Sequence, residues 1–361
     1  MTPEVTKRLC AWYAKNAREL PWRQTRDPYA VWLSEIMLQQ TRVETVIPYY
    51  ERFLRALPDL RALAEAPENR LLKLWEGLGY YSRAKNLQKA ARMIVDKFAG
   101  AFPKDPATLE KLPGIGRYTA GALASICFDL PAPAVDGNVL RVVARLTALT
   151  GSVDAPEVKE AVMEALGKIY PAGGQGKCGT FTQSLMELGA LVCLPRGEPL
   201  CAACPLADLC AAKKSGKPMD FPRKSPKKDK REQELTVLIL EVEGKYLIRK
   251  RPAEGLLAGL WEFPNAAGFL EGAALVKLIR DLGFAPLEAG NILKARHAFT
   301  HVRWRMAARA IKCRPIRGRK RPEGLVAVTA GELGEKYALP TAFRKLLPLI
   351  ESTSQKSRIV V

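Results

Sequence analysis

Over the first 210 or so residues, apolar side chains recur at three- and four-residue spacings, the period of a helix with one buried face. Such segments cover residues 3–20, 30–40, 45–57, 68–76, 84–98, 107–112, 118–128, 139–149, 156–169 and 181–191. Connections bearing Pro103, Pro113, Gly114, Gly116, Pro131 and Pro133 separate them, and no strand-like alternation intervenes. Residues 211–234 differ, with nine basic residues, four acids, three prolines and few large apolar side chains. That composition predicts a linker, and one that attracts phosphate. From Leu235 the period becomes two. Runs over 235–242 and 245–250 flank Glu243-Gly244 and predict a hairpin. Val302, Trp304 and Met306 alternate with Arg303 and Arg305, as a half-buried strand does, and 269–282 and 341–350 predict helices.

The expected organisation is a helical region over 1–212 with a cysteine-rich loop at 193–210, a basic linker over 213–232, an α/β domain over 233–352 and a tail over 353–361. No internal repeat is present. A length of 361 residues suits two or three domains. Apolar residues at 48% and charged residues at 26% exclude a collagen-like, wholly disordered or disulfide-dense chain.

Charge narrows the picture. The 57 Lys and Arg exceed the 37 Asp and Glu by 20, which favours a polyanionic partner, nucleic acid ahead of an anionic membrane surface. A run of six basic residues without an acid, 312–321, predicts an exposed loop that is either solvated or in contact with DNA. No stretch approaches the ~18 apolar residues of a membrane span. Glu4, Lys7 and Arg8 stand where a signal peptide needs an apolar core. The expectation is a cytoplasmic, nucleoid-associated monomer with its cysteines reduced or metal-bound. Only two histidines exist, His297 and His301, so the first 296 residues hold no His-based zinc site, Ser-His-Asp triad or Cys-His pair.

Four of the eight cysteines, Cys193, Cys201, Cys204 and Cys210, fall in the spacing C-x7-C-x2-C-x5-C. Thiols so close call for a metal. A four-cysteine zinc site usually pairs two short C-x2-4-C knuckles, and only one is present. Uneven spacing in one stretch suits an iron–sulfur cube better, with zinc as the alternative. Cys10, Cys127, Cys178 and Cys313 are scattered and read as core or surface thiols.

Leu112-Pro-Gly-Ile-Gly-Arg-Tyr-Thr-Ala-Gly121 reads as a hairpin between two helices, with Gly114 and Gly116 permitting the sharp turn. Its backbone N–H groups and the positive end of the second helix then form a site that grips DNA phosphate without reading sequence. An ordinary helix–turn–helix connection is the plainer reading. Glu35 is the one acid in Val31-Trp-Leu-Ser-Glu35-Ile-Met-Leu38 and lies on the face of Val31, Trp32 and Leu38. A carboxyl there has a raised pKa and can serve as a general acid, unless it reaches past the boundary to water. Asp136, in Pro133-Ala-Val-Asp-Gly-Asn-Val139, suits a helix N-cap, where the helix dipole favours its ionised form. One neutral and one ionised carboxyl are what glycosidic cleavage requires.

Together these motifs resemble the helix–hairpin–helix DNA glycosylases and, more narrowly, those of the MutY, adenine-specific type. The resemblance spans nearly the whole chain through Leu20-Pro-Trp22, Ser34-Glu-Ile-Met-Leu-Gln-Gln-Thr41, Gly77-Leu-Gly-Tyr-Tyr81, Leu112 to Gly121, Val135-Asp-Gly-Asn138, the four cysteines and Gly259-Leu-Trp-Glu-Phe-Pro264. It implies a mainly α helix–hairpin–helix glycosylase fold with an iron–sulfur subdomain, plus a C-terminal α/β nudix-like domain.

Further implications attach to single residues. Glu35 protonates the adenine and later positions or activates water. Asp136 stabilises the oxocarbenium ion or forms a transient adduct. Tyr118 and Asn138 line the catalytic pocket, and Gln183 contacts the flipped base. Gln40 and Tyr80 wedge into the duplex, and Gly114, Gly116 and Arg196 contact its backbone. Cys193, Cys201, Cys204 and Cys210 hold a four-iron four-sulfur (4Fe-4S) cluster. Phe299, Thr300 and His301 recognise 8-oxoguanine. The implied partner is duplex DNA carrying adenine opposite 8-oxoguanine or guanine.

Tyr118 stands where endonuclease III-type enzymes carry a lysine, and a phenol cannot form their Schiff base, so strand scission is not expected. The helix at 274–283 lacks the paired glutamates of a nudix pyrophosphohydrolase. Two departures from the family stand out. The first cysteine gap is seven residues where six is usual, and Thr300 replaces the usual Ser but keeps the hydroxyl. The competing readings are a bifunctional glycosylase-lyase for oxidised pyrimidines and a non-catalytic DNA-binding protein with a four-cysteine zinc module.

Overall fold

The structure, a computed structural model, describes residues 1–226, 229–320 and 322–350. Contacts divide the chain into two units. The first joins Met1–Glu65 to Asn86–Lys227, and the second joins Ala66–Lys85 to Lys228–Val361.

Through residue 214 the elements are helices: α1 (Pro3–Asn16), α2 (Pro28–Leu38), α3 (Val43–Ala56), α4 (Leu60–Glu65), α5 (Glu68–Leu74), α6 (Ser82–Phe98), α7 (Pro106–Leu109), α8 (Arg117–Ile126), α9 (Gly137–Leu146), α10 (Pro156–Gly167), α11 (Lys177–Leu191) and α12 (Ala211–Lys214). Helix α5 belongs to the second unit. Helix α2 begins where Asp27 accepts hydrogen bonds from the Tyr29 and Ala30 amides, with Pro28 at its first position. Every residue from Tyr29 to Met37 is buried, so α2 runs through the interior instead of lying on the surface with one wet face. Helices α1, α9, α10 and α11 share a core of Leu9, Val142, Leu166, Phe181 and Leu188 that reaches Leu206 in the cysteine loop.

Several boundaries depart from the sequence reading. Helix α1 stops at Asn16, four residues early, because Ala17 turns extended and Arg18 leaves to bond Glu187. Helix α7 ends at Leu109. Helix α11 starts four residues early, where Asp129 accepts from the Gly174, Gly176 and Cys178 amides and so satisfies the incoming turn. The short α4 was not expected.

The second unit is built on a sheet of β1 (Arg231–Val242), β2 (Lys245–Lys250), β3 (Trp261–Glu262), β4 (Asn265–Ala267), β5 (Phe284–Ala298), β6 (Val302–Pro315) and β7 (Leu325–Val328), with α13 (Gly272–Asp281), α14 (Ala330–Glu335) and α15 (Thr341–Arg344). The strand order is β3-β2-β1-β6-β5, with β4 against β1 and β7 against β2. Strands β1 and β6 pair in parallel, β5 and β6 antiparallel. The predicted hairpin forms, and Glu243 and Gly244 both take positive φ, 52° and 74°, as a two-residue turn of matching twist requires. One face of the sheet packs Ile239, Phe263, Trp304 and Met306 against Leu333 and Phe343. The other packs Leu238, Leu240, Ile311 and Cys313 against Leu275 and Ile279 of α13.

Two expected loops contain regular structure. The basic run at 312–321 is not wholly a loop, because β6 continues to Pro315 and buries Cys313. Arg321 lies outside the described residues, as do 351–352 and the tail at 353–361. The basic stretch at 213–232 is partly ordered structure, since α12 occupies its start and β1 begins at Arg231. Between them the Arg145 guanidinium donates to the Pro218 and Phe221 carbonyls, and the Val153 amide to the Arg223 carbonyl. Strand β5 was missed because it is an edge strand whose residues 287–292 are all exposed, and only its second half alternates, Leu293 and Ala295 inward against Lys294 and Arg296 outward. Among the described residues no helix is long and apolar enough to cross a membrane.

Candidate active site

A cavity of about 690 Å³ in the first unit is lined by Glu35, Gln40, Tyr118, Asp136, Asn138 and Gln183. Six residues singled out from the sequence, drawn from α2, α8, α9, α11 and their approaches, therefore face one space. Glu35 arrives on buried α2, and Tyr118 sits in the first turn of α8, immediately after the glycine hairpin. Asp136 is the N-cap of α9, accepting from the Val139 amide at 2.7 Å. The N-cap role and the catalytic placement coincide in this residue.

Burial pushes the Glu35 carboxyl up to about 7, with nearby Asp136 adding to the rise and a hydrogen bond from Tyr118 opposing it. The Tyr118 hydroxyl donates to Glu35 Oε2. Burial, then Glu35 and Asp136, raise the Tyr118 phenol well above its ordinary value, so it stays a donor. Asp136 differs from expectation. Burial raises its pKa despite the hydrogen bonds from Val139 and Asn138 and the Arg141 charge that favour its ionised form. The cap holds the carboxylate in place, but desolvation outweighs the helix dipole.

Asp136 is fixed from behind. The Asn138 amide donates to Asp136 Oδ2 at 2.8 Å, and Arg141 donates to Asn138 Oδ1 at 2.8 Å. Arg141 also donates to the Gly189 carbonyl at 2.7 Å and to the Cys193 carbonyl at 2.7 Å. One buried guanidinium thus joins the catalytic turn, α11 and the start of the cysteine loop.

Sequence reasoning missed a third carboxyl of the cavity. Glu187 of α11 receives paired hydrogen bonds from Arg18 and from Arg23, with contacts of 2.7–3.0 Å. Burial opposes its charge, but these two guanidinium groups hold it down at about 2. The available signal was spacing, since Glu187 lies one turn beyond Gln183 and on the same face. Gln183 itself accepts from the Tyr13 hydroxyl at 2.8 Å, which orients its amide NH2 as a free donor.

Other expected residues lie elsewhere. Gly114 takes a φ of 78° and leaves a Cβ only 2.7 Å from Asn86 Cβ, so the hairpin requires glycine there. Gly116 is extended and serves as the N-cap of α8. Arg196 is exposed in the cysteine loop. Cys193, Cys201, Cys204 and Cys210 line a separate cavity with Arg145, Leu188, Val192 and Leu206. Arg145 donates to Cys193 Sγ at 3.3 Å and to the Leu194 carbonyl at 2.8 Å. Among the described residues no three Cys, His, Asp or Glu side chains converge on a point that would hold a single metal ion. Four thiols around one largely apolar cavity fit a multi-atom group better than a lone zinc.

In the second unit, the Tyr80 hydroxyl and Thr300 Oγ1 lie 3.2 Å apart. Thr300 and His301 are exposed at the turn between β5 and β6. The turn is closed by the Phe299 amide on the Val302 carbonyl. The Phe299 ring packs edge-on against His297 and Trp304, at 4.6 and 4.8 Å, and so contributes to the sheet's core. Arg83 donates to the Leu78 and Gly79 carbonyls and lies over the Trp75 and Tyr80 rings, holding Tyr80 at a φ of 46°.

Residues 33–168 match the model of the HhH-GPD superfamily base excision DNA repair protein, and residues 235–349 match that of the NUDIX domain. The mouse (Mus musculus) protein named adenine DNA glycosylase is 34% identical, over 97% of this chain and 78% of its own length. This chain belongs to the adenine DNA glycosylase family. The helical unit carries a wider likeness as well. A thermostable thymine-DNA glycosylase superposes with a TM-score of 0.52 at 28% identity, covering 59% of this chain and 97% of that one. An endonuclease III trapped as a covalent intermediate with DNA gives 0.50 at 28% identity, covering 60% and 99%. Membership of the adenine DNA glycosylase family makes the chain a base-excision-repair enzyme, and it accounts for a nudix-like domain joined to a helical glycosylase core.

Proposed function

We propose that this enzyme flips adenine out of duplex DNA where it is mispaired with 8-oxoguanine or guanine, and hydrolyses its N-glycosidic bond without cutting the strand. The observation that carries the reading is a protonatable Glu35, raised to about 7, in one cavity with Asp136 and Tyr118. Glu35 delivers a proton to the adenine ring nitrogen, which makes the base a neutral leaving group. Asp136, held by Val139 and Asn138, faces the positive charge that develops on the sugar. Glu35, now ionised, then positions or activates the attacking water. Tyr118 orients Glu35, and the free amide NH2 of Gln183 donates to an acceptor of the flipped base. Gly114 and Gly116 form the phosphate-gripping hairpin. Gln40 and Tyr80 fill the space left in the duplex, and Arg196 contacts its backbone. Flipping costs a few kcal/mol and least at a mispair, so the lesion aids its own selection.

Cys193, Cys201, Cys204 and Cys210 would hold a 4Fe-4S cluster. Bound there, it would tie the loop to Arg145 and fix its shape, with no part in the bond-breaking step. Recognition of the opposite base falls to Thr300 and His301 at the β5–β6 turn, on the platform of Phe299, with Tyr80 beside Thr300.

Activity is expected to fall as pH rises through about 7, because Glu35 must be protonated to act. The acid limb reflects Asp136, whose raised pKa moves that limb upward from the ordinary carboxylate range. The deciding assay uses a duplex with one adenine opposite 8-oxoguanine, read before and after hot alkali, beside duplexes with adenine opposite thymine and with an oxidised pyrimidine. Breaks that need alkali and fall only in the adenine strand of the mispair are the expected result. Breaks without alkali would overturn the monofunctional reading and point to Lys159, the sole amine among the described residues lining the cavity.

A further inference from the structure

On one face of the second unit's sheet, exposed residues continue beyond those that pack under α13. Helix α13 packs on Leu238, Leu240, Ile311 and Cys313, at one end of that face. With ten residues it spans about 15 Å. Towards the β5–β6 turn the same face continues through Arg303, Arg305 and Arg309 of β6, and through their partners on β5. Register places Arg296 opposite Arg305, Lys294 opposite Ala307 and Ile292 opposite Arg309. Opposed residues share a face, so five cations stand on this open surface.

Arg303 and Arg305 pair with Glu232 and Glu234 of β1, each at 3.1 Å. Arg305 also lies over the Phe269 ring. Lys294, Arg296 and Arg309 have no acidic partner among the described residues. Arg296 sits directly opposite Arg305, whose charge Glu234 already answers, which leaves the Arg296 guanidinium as the unpaired one of the two. Lys294 and Arg296 are exposed.

We propose that this face, Lys294, Arg296 and Arg309 above all, is a docking surface for the phosphate backbone of duplex DNA flanking the lesion. Charge and continuity select that occupant. The same two strands end in the turn carrying Thr300 and His301, and a duplex engaged there must extend beyond it. Arginine forks grip phosphate oxygens bidentately and carry no base information, so the surface adds affinity and orientation, with no sequence preference. The inference rests on the proposed role of that turn.

The test uses the full chain with Glu35→Gln, so that DNA is bound and not consumed. Binding to the adenine:8-oxoguanine duplex is measured as a function of salt, with and without K294Q, R296Q and R309Q together. Each lost phosphate contact lowers the slope of log affinity against log salt by about 0.9. The triple variant is therefore expected to lose about 2–3 in slope and on the order of 100-fold in affinity near 0.1 M salt, equally on an adenine:thymine duplex. R296Q alone is expected to lose about 0.9. Removing Lys277, Arg280 and Lys336 instead takes away as much charge from other surfaces and is expected to leave the slope unchanged. An unchanged slope in the triple variant, with its melting curve intact, overturns the proposal, as does an equal fall in the control. If the slope falls but Thr300→Ala leaves the preference for 8-oxoguanine over guanine untouched, the docking surface stands and the turn's recognition role fails.

Discussion

Glu35 is kept neutral by its surroundings, and that has a consequence for stability as well as for catalysis. Its carboxyl titrates near 7 in the fold, against an ordinary value of 4.5. A group raised in this way favours the folded state while it is protonated. That contribution is complete below about 4.5 and is lost as pH rises through about 7. The difference corresponds to about 3 kcal/mol at alkaline pH. Glu35→Gln removes the titration while keeping an acceptor for the Tyr118 hydroxyl. The variant is expected to excise no adenine, yet to gain up to about 3 kcal/mol relative to the parent between pH 5 and pH 8. Denaturant titrations at those two pH values check this, and parallel stability curves for the two proteins would refute it. A catalytic acid that destabilises its own fold is the trade-off expected of a functional site.

Among elements, the contact between α9 and α11 controls where Asp136 sits. Gly189 of α11 lies against Asn138, and a Cβ there would fall 2.6 Å from Asn138 Cβ and 3.1 Å from its Cα. Gly189→Ala must push the two helices apart by a few tenths of an ångström or more. It is expected to cost about 1–3 kcal/mol in stability, and its excision rate should fall by up to about 100-fold as Asp136 moves. Gly334→Ala, where nothing lies within 4 Å of the added carbon, serves as the neutral comparison. Single-turnover excision and thermal melts separate the two effects.

The elements also show how much the sequence could reveal. The helices and the Glu243-Gly244 turn were legible because each rests on local periodicity or local φ preference. So were the cavity's two carboxyls Glu35 and Asp136, because each sits in a recognisable local context, whereas Tyr118, Asn138, Gln183 and Gln40 followed only from the family resemblance. The pairing of Glu187 with Arg18 and Arg23 was not legible, since it joins residues more than 160 positions apart. Burial of all of α2 was not legible either, because periodicity marks one face and says nothing of what covers the other. Strand β5 escaped because its middle, residues 287–292, is exposed throughout and leaves only a short alternation around Leu293 and Ala295 to read.

At the scale of the whole molecule, residues 66–85 belong with the C-terminal sheet although the sequence places them among the glycosylase helices. Glu76 accepts from the Leu339 amide at 2.8 Å and from Lys73 at 2.7 Å. Lys85 donates to the Ala258 carbonyl, and Tyr80 meets Thr300. Glu76→Ala is expected to speed hydrogen exchange at Leu339 and across 71–81 together, and to weaken preference for 8-oxoguanine through Tyr80. Exchange mass spectrometry on the full chain checks this, and protection lost at only one of the two segments would refute it.

The same arrangement bears on how the protein is born. Glu76 leaves the ribosome 263 residues before its partner Leu339. At about 5–20 residues per second that is a wait of roughly 10–50 s. Through that interval Leu71, Leu72 and Trp75, buried in the finished fold, wait for the C-terminal part of their own unit. The segment that carries Tyr80 is therefore a natural client for a chaperone during synthesis. It is also the segment whose C-terminal partners, the Leu339 amide among them, a chain cut short by a premature stop would lack.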